Sequence, residues 1–80
     1  MEDEIALYYF PACPFCRKVL NYIEDNDLKD RIVLKNTRKD KAAKDYLIKE
    51  GGKDQVPCLF IEGRPLYESD DIINWLKENM

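Results

Sequence analysis

The stretch Ile5-Ala6-Leu7-Tyr8-Tyr9-Phe10-Pro11-Ala12-Cys13-Pro14-Phe15-Cys16 decides the fold. Its first six residues form a short, aromatic-rich apolar run, bounded by acids on one side and by Pro11 on the other. That is the signature of a buried strand. Beyond the cysteines, Phe15, Val19, Tyr22 and Ile23 recur at helical spacing, with Arg17, Lys18, Asn21 and Glu24 between them. The spacing predicts a helix over about 14 to 26, with these apolar residues on its inner face. Pro14 falls in the first turn, where its fixed φ and missing N–H suit a helix start. The pair Cys13 and Cys16 therefore stands where a strand hands over to a helix.

Outward from this point, Arg31-Ile32-Val33-Leu34-Lys35 reads as a second strand, which completes a βαβ unit with parallel strands. A second helix is expected over about 38 to 50, with Thr37 as its N-cap and Asp40 three residues on as a variant capping box. Gly51-Gly52 stops it. Cys58-Leu59-Phe60-Ile61 and Arg64-Pro65-Leu66-Tyr67 flank Glu62-Gly63, a tight hairpin whose second arm Pro65 marks as an edge strand. The last helix opens at Ser69, where Asp70 and Asp71 complement its dipole. Ile72, Ile73, Trp75 and Leu76 give it an apolar side. The order is β-α-β-α-β-β-α: an α/β chain with a four-stranded mixed sheet flanked by three helices. Residues 1–80 form a single domain without repeats or linkers.

Eighty residues leave room for a thin core and one domain. Forty-five per cent hydrophobic and 36% charged residues are ordinary for a globular protein. A net charge of −3 argues against nucleic acid as the main partner. No apolar run approaches the length of a membrane span, and Met1-Glu2-Asp3-Glu4 is acidic where a signal peptide is basic. The expectation is a cytoplasmic, full-length, monomeric chain. Charge is unevenly spread: residues 29–53 hold nine Lys or Arg against four acids, and both flanking segments are net acidic. This basic middle reads either as a solvated helix face or as the surround of a small anionic ligand.

The chain has three cysteines and no histidine. Cys-His nucleophile pairs and mixed Cys/His zinc sites are thereby excluded, and three thiols fall one short of an all-cysteine zinc site. No metal is expected. Cys13-Pro14-Phe15-Cys16 remains, a C-x-x-C motif that reads as redox chemistry when it opens a helix after a strand. At that position the unpaired N–H groups and the positive dipole end favour a thiolate on Cys13, and Arg17 and Lys18 add positive charge close by. Cys16 lies one turn on along the same side, within reach as the resolving thiol. Cys58, between Pro57 and Leu59, is either a buried structural cysteine or an extra thiol beside the site.

With C-P-F-C, Val56-Pro57 and Ser69-Asp70-Asp71 assembled, the chain resembles a glutaredoxin of the thioredoxin-like fold, and the resemblance covers essentially all of its length. It implies a cis Pro57 facing the cysteines and a Val56 backbone that pairs with the cysteinyl part of glutathione like an added strand. It also implies that Ser69 and Asp70 hold the two ends of the γ-glutamyl zwitterion at a helix N-terminus. Read without the resemblance, Ser69-Asp70-Asp71 is a plain helix cap. Two departures stand out. Many glutaredoxins carry Gly-Gly where this chain has Tyr67-Glu68. Gln55-Val56-Pro57 followed by Glu68-Ser69 is instead similar to the N-terminal domain of glutathione transferases, which places Glu68 in the site too. Many glutaredoxins also carry a lysine where this chain has Phe10. The glycyl carboxylate of glutathione then needs another cation, for which Arg38, Lys39 and Lys41 are the candidates, and Arg38 is taken into the site.

The resemblance implies a glutathione-dependent thiol-disulfide oxidoreductase acting on protein disulfides or glutathione mixed disulfides. Cys13 would be its nucleophile and Cys16 its resolving thiol. Glutathione would be co-substrate, with no tightly bound cofactor. Two other readings share the fold: a redoxin reduced by a flavin reductase, and a module holding an iron–sulfur cluster or a metal. Pro14 and Cys16 argue against the cluster, since cluster-binding relatives carry Gly and Ser at those places.

Overall fold

The structure is a computed structural model that describes residues 5–80; the acidic stretch 1–4 lies outside the described residues. Elements follow in the order β1 (Ile5–Tyr9), α1 (Pro14–Asp25), a 3-10 turn (Lys29–Arg31), β2 (Val33–Asn36), α2 (Lys41–Gly51), β3 (Cys58–Ile61), β4 (Arg64–Tyr67) and α3 (Ser69–Asn79). The sheet order is β2-β1-β3-β4. β1 pairs parallel with β2 and antiparallel with β3, and β3 pairs antiparallel with β4.

Because β1 is an interior strand covered on both faces, consecutive residues Ala6, Leu7 and Tyr8 are all buried, which explains a continuous apolar run rather than an alternating one. Alternation sorts them to opposite sides. Leu7 and Leu59 pack with Val19 and Ile23 of α1 and with Ile72 and Leu76 of α3. Ala6, Tyr8, Cys58 and Phe60 pack with Ala43 and Leu47 of α2. Each fully buried aliphatic side chain contributes about 1.5–3 kcal/mol, so these two layers supply the chief stabilisation of the fold. The tight hairpin is present: Glu62 (φ 52°) and Gly63 (φ 85°) both adopt the left-handed conformation that a two-residue turn between twisted strands demands. Pro65 lies on the edge strand β4, opposite Phe60.

Three expectations need correction. α2 begins at Lys41, not near 38, and its N-cap is Asp40, whose carboxylate accepts the N–H groups of Ala42 and Ala43 at 3.1 and 3.3 Å. Thr37 is not a cap. It is buried; its backbone N–H donates to the Tyr9 carbonyl at 2.8 Å, extending the β1–β2 pairing by one residue, and its hydroxyl donates to the same carbonyl at 3.3 Å. β2 starts at Val33, because Lys29–Arg31 is wound into the 3-10 turn. Phe15 is 63% exposed. It shares a helix stripe with Val19, but in the first turn of α1 the buried residue is Cys16, and Phe15 is left to the surface. The last helix does open at Ser69, as expected; the residue before it, Glu68, is its N-cap, without a side-chain capping bond. Among the described residues no helix is long and apolar enough to cross a membrane.

Candidate active site

The junction between β1 and α1 is built by the backbone. The Cys13 N–H donates to the Phe10 carbonyl at 3.3 Å, closing a turn over Pro11-Ala12. Cys13 then occupies the N-cap of α1 in extended conformation (φ −82°, ψ 121°), with Pro14 next. Its sulfur takes the role usually filled by a serine or aspartate oxygen: the Cys16 N–H donates to Cys13 Sγ at 3.4 Å. Negative charge on that sulfur faces the positive end of the helix dipole.

The two thiols have unequal surroundings. Cys13 is partly exposed, and Cys16 is fully buried. Burial pushes the Cys16 thiol up to about 12; the backbone of Phe10 opposes the shift, and the adjacent Cys13 sulfur adds to it. A thiol held protonated beside an accessible one is arranged to act second, as donor and then as resolver.

A cavity of about 270 Å³ opens at Phe15, the residue before Cys16, and is lined also by Gln55, Val56, Pro57, Glu68 and Ser69. It unites four of the residues expected from the sequence (Val56, Pro57, Glu68 and Ser69), which come from the α2–β3 loop and the start of α3. The Val56-Pro57 peptide is cis. Glu68 stands at φ 72°, the left-handed region, at one of the two positions where glutaredoxins often carry glycine. That kink swings the chain from β4 into α3 and leaves the first turn of the helix uncapped by any side chain. Its free N–H groups and the half of the dipole they carry suit an anion. Phe15 and Gln55 complete the lining, although neither was assigned to the site from the sequence. Gln55 adjoins Val56-Pro57, which was a usable signal; Phe15 was masked by its place on an otherwise buried stripe.

Asp70 sits differently. It lies outside the cavity lining, and its carboxylate is held by the Lys18 ammonium from α1. The positive charge of Lys18 is thus directed at α3.

On the far side of Val56, a second cavity of about 180 Å³ is lined by Phe10, Thr37, Arg38, Lys44, Asp54 and Val56. The Arg38 guanidinium lies over the Phe10 ring, 4.2 Å from its centroid. Lys44 pairs with Asp54 at 3.7 Å, and Lys41 with Asp45 at 3.2 Å. Among the three candidate cations, Arg38 alone lines this cavity, and no carboxylate pairs with it among the described residues. It stands over the position where many glutaredoxins carry lysine.

Cys58 is fully buried in the α2 layer, opposite Tyr67 in the sheet register. Burial pushes its thiol up to about 11, against the lowering effect of a hydrogen bond with Tyr67. The Tyr67 hydroxyl also donates to the Gly51 carbonyl at 3.0 Å, and Lys53 lies 4.5 Å from the ring centroid.

This arrangement, a C-x-x-C motif at a helix start whose Phe15 shares a cavity with a cis-proline loop, is that of a thioredoxin-like domain. Residues 7–80 match the family described as glutathione S-transferase, N-terminal domain. The chain is 31% identical over 75 residues to Glutaredoxin 1 of Rickettsia prowazekii (strain Madrid E), across 92% of this chain and 78% of that protein. It superposes on a thioredoxin-like protein with a TM-score of 0.75 and 24% identity, across 94% of this chain and 96% of the other. A glutathione transferase family member from Pseudomonas fluorescens Pf-5, solved with bound glutathione, gives a TM-score of 0.77 and 25% identity. That match covers 94% of this chain but 38% of the transferase. The chain belongs to the family of glutathione S-transferase N-terminal domains and glutaredoxins. The glutaredoxin relative supports a redox role, and the solved structures show the thioredoxin-like fold that carries it.

Proposed function

We propose that the protein is a glutathione-dependent thiol-disulfide oxidoreductase, with Cys13 as nucleophile and Cys16 as resolving thiol. The observation that carries this reading is the pairing of a partly exposed Cys13 at the N-cap of α1 with a cavity lined by Val56, cis-Pro57, Glu68 and Ser69. In the proposed cycle the Cys13 thiolate attacks the glutathione sulfur of a mixed disulfide. The S–S bond breaks, the substrate thiol leaves with the electron pair and takes a proton, and Cys13 holds glutathione as a new disulfide. A second glutathione thiolate then attacks that glutathione sulfur, releasing glutathione disulfide and regenerating Cys13. With a protein disulfide as substrate, Cys16 displaces the bound protein thiol from Cys13, and two glutathiones reduce the resulting Cys13–Cys16 disulfide.

Each cavity takes one end of glutathione in this reading. The Val56 backbone pairs with the cysteinyl residue between them. The uncapped start of α3 and Ser69 receive the γ-glutamyl carboxylate, with Glu68 at the same lip. Arg38, held over the Phe10 ring, receives the glycyl carboxylate. Disulfide-bearing proteins are the proposed partners, and no bound cofactor is required for the cycle.

The test is glutathione-coupled reduction of a small mixed disulfide by wild type, Cys13→Ser and Cys16→Ser. Activity lost in Cys13→Ser and kept in Cys16→Ser is the expected pattern. Turnover by wild type with a flavin reductase but none with glutathione would overturn the reading and leave a reductase-linked redoxin in its place.

A further inference from the structure

We infer that Lys18 is a specificity-determining residue, which occupies Asp70 and so withholds that carboxylate from the ammonium group of a bound thiol. The inference rests on the glutathione reading above and concerns how its γ-glutamyl end is recognised. Three observations carry it. Lys18, in the second turn of α1, and Asp70, in the first turn of α3, are an ion pair that bridges the two helices. Glu68 and Ser69 line the cavity that opens at Phe15, whereas their neighbour Asp70 does not. Among the described residues no side chain caps the start of α3, so its N–H groups are open to a carboxylate without any help from Asp70.

An α-amino-acid end presents a carboxylate and an ammonium on one carbon. Here the carboxylate half has an open receptor. The ammonium half, at Asp70, meets an internal ammonium already seated. Lys18 is tethered, so its local concentration does not fall with dilution, and a ligand ammonium must displace it to reach Asp70. Both side chains remain largely solvent-exposed, at 54% and 75%, which keeps the pair in the range of weak surface bridges. Lys18 therefore attenuates rather than abolishes a contribution from Asp70. The substrate class that follows is wider than glutathione itself: thiols bearing a carboxylate at that end, with or without the α-amine.

The experiment uses the full chain and two reductants, glutathione and its des-amino analogue glutaryl-cysteinylglycine. KM for each is measured in the release of a fluorescent thiol from a mixed disulfide, for wild type, Lys18→Met, Asp70→Asn and the double variant. Lys18→Met is expected to lower KM for glutathione about two- to five-fold, the range set by an exposed ion pair, and to leave KM for the analogue unchanged. Asp70→Asn alone is expected to move neither value by more than about 1.5-fold, and in the Lys18→Met background it should return the glutathione KM to the wild-type level. A merely structural bridge would move both thiols together. An equal change for both thiols in Lys18→Met overturns the inference. So does a several-fold rise in glutathione KM for Asp70→Asn with Lys18 in place. Absence of turnover with either thiol in wild type is a distinct result, which overturns the glutathione reading and this inference with it.

Discussion

The Cys16 amide donates its hydrogen to the Cys13 sulfur across 3.4 Å, and from that contact the two thiols diverge, one toward solvent and one into the protein. A motif symmetric in sequence is asymmetric in structure. The sulfur at the helix cap meets incoming disulfides, and the sulfur one turn on is shielded and held protonated at a value of about 12.

This asymmetry predicts the order of chemical modification. Iodoacetamide added to the reduced, folded protein near neutral pH should alkylate Cys13 first and alone, since Cys16 and Cys58 are fully buried and both are pushed far above the ordinary thiol range. Peptide mapping after a short exposure checks this. Label on Cys58 before unfolding would contradict the burial that places it in the core.

Arg38 and Phe10 give a prediction for ligand affinity. Arg38→Ala should raise KM for glutathione by roughly three- to ten-fold with little change in kcat, as expected for loss of one partly exposed charge-assisted contact. Because the guanidinium lies 4.2 Å over the Phe10 ring, a cation can be returned from the ring's own position. Phe10→Lys in the Arg38→Ala background should therefore recover most of the loss. Steady-state kinetics at two salt concentrations would show the recovered term to be electrostatic, since it weakens as salt rises.

Cys58 should matter for stability and not for turnover. Cys58→Ala leaves a small void in the α2 layer and is expected to cost roughly 1 kcal/mol with glutathione-linked activity retained. A pH dependence follows from the raised thiol. Its value is 9.0 ordinarily and about 11 in the folded protein, so the unfolded chain loses this proton first as pH rises. The stabilising contribution of neutral Cys58 is complete below about pH 9 and is lost as pH climbs toward 11. The urea midpoint of wild type should thus fall relative to that of Cys58→Ala between about pH 8 and about pH 10.5.

Gly51 and Tyr67 tie α2 to the edge strand. A Cβ built on Gly51 collides with the Tyr67 hydroxyl, the group that donates to the Gly51 carbonyl at 3.0 Å. Gly51→Ala is expected to destabilise by about 1–2 kcal/mol, through the displaced ring and the lost hydrogen bond. In a Tyr67→Phe background the collision is gone, and the same change should be neutral or mildly stabilising, since alanine is the better helix former. Thermal melts of the four proteins form the cycle that checks it.

Much of this architecture was legible in the chain itself. The run from Ile5 to Phe10, the Pro14 helix start, the Gly51-Gly52 stop and the Glu62-Gly63 turn each follow from local sterics and from the periodicity of apolar side chains. Such signals act over a few residues, and all four reappear in the structure. The cysteine pair was legible for the same reason, because a C-x-x-C at a strand-to-helix junction meets the helix N-terminus wherever the rest of the chain goes. Helix caps were less legible. Thr37 and Asp40 can both cap a helix, and the choice went to Asp40 because β2 runs on to Asn36 and the Thr37 hydroxyl is drawn to the Tyr9 carbonyl. Phe15 follows a buried stripe in sequence and yet is exposed, while Cys16 beside it in the first turn of α1 is the residue that is buried.

The sequence by itself determined the elements, their order and the identity of the two working thiols, because these rest on backbone conformation and spacing along the chain. Tertiary structure alone decided which distant residues meet. It set Val56 between two cavities, laid Arg38 on Phe10, brought Glu68 and Ser69 to a cavity with Phe15 and gave Asp70 to Lys18, 52 positions away. Those pairings depend on how the helices seat against the sheet, a balance of packing spread over the whole core, and no local run of residues encodes it.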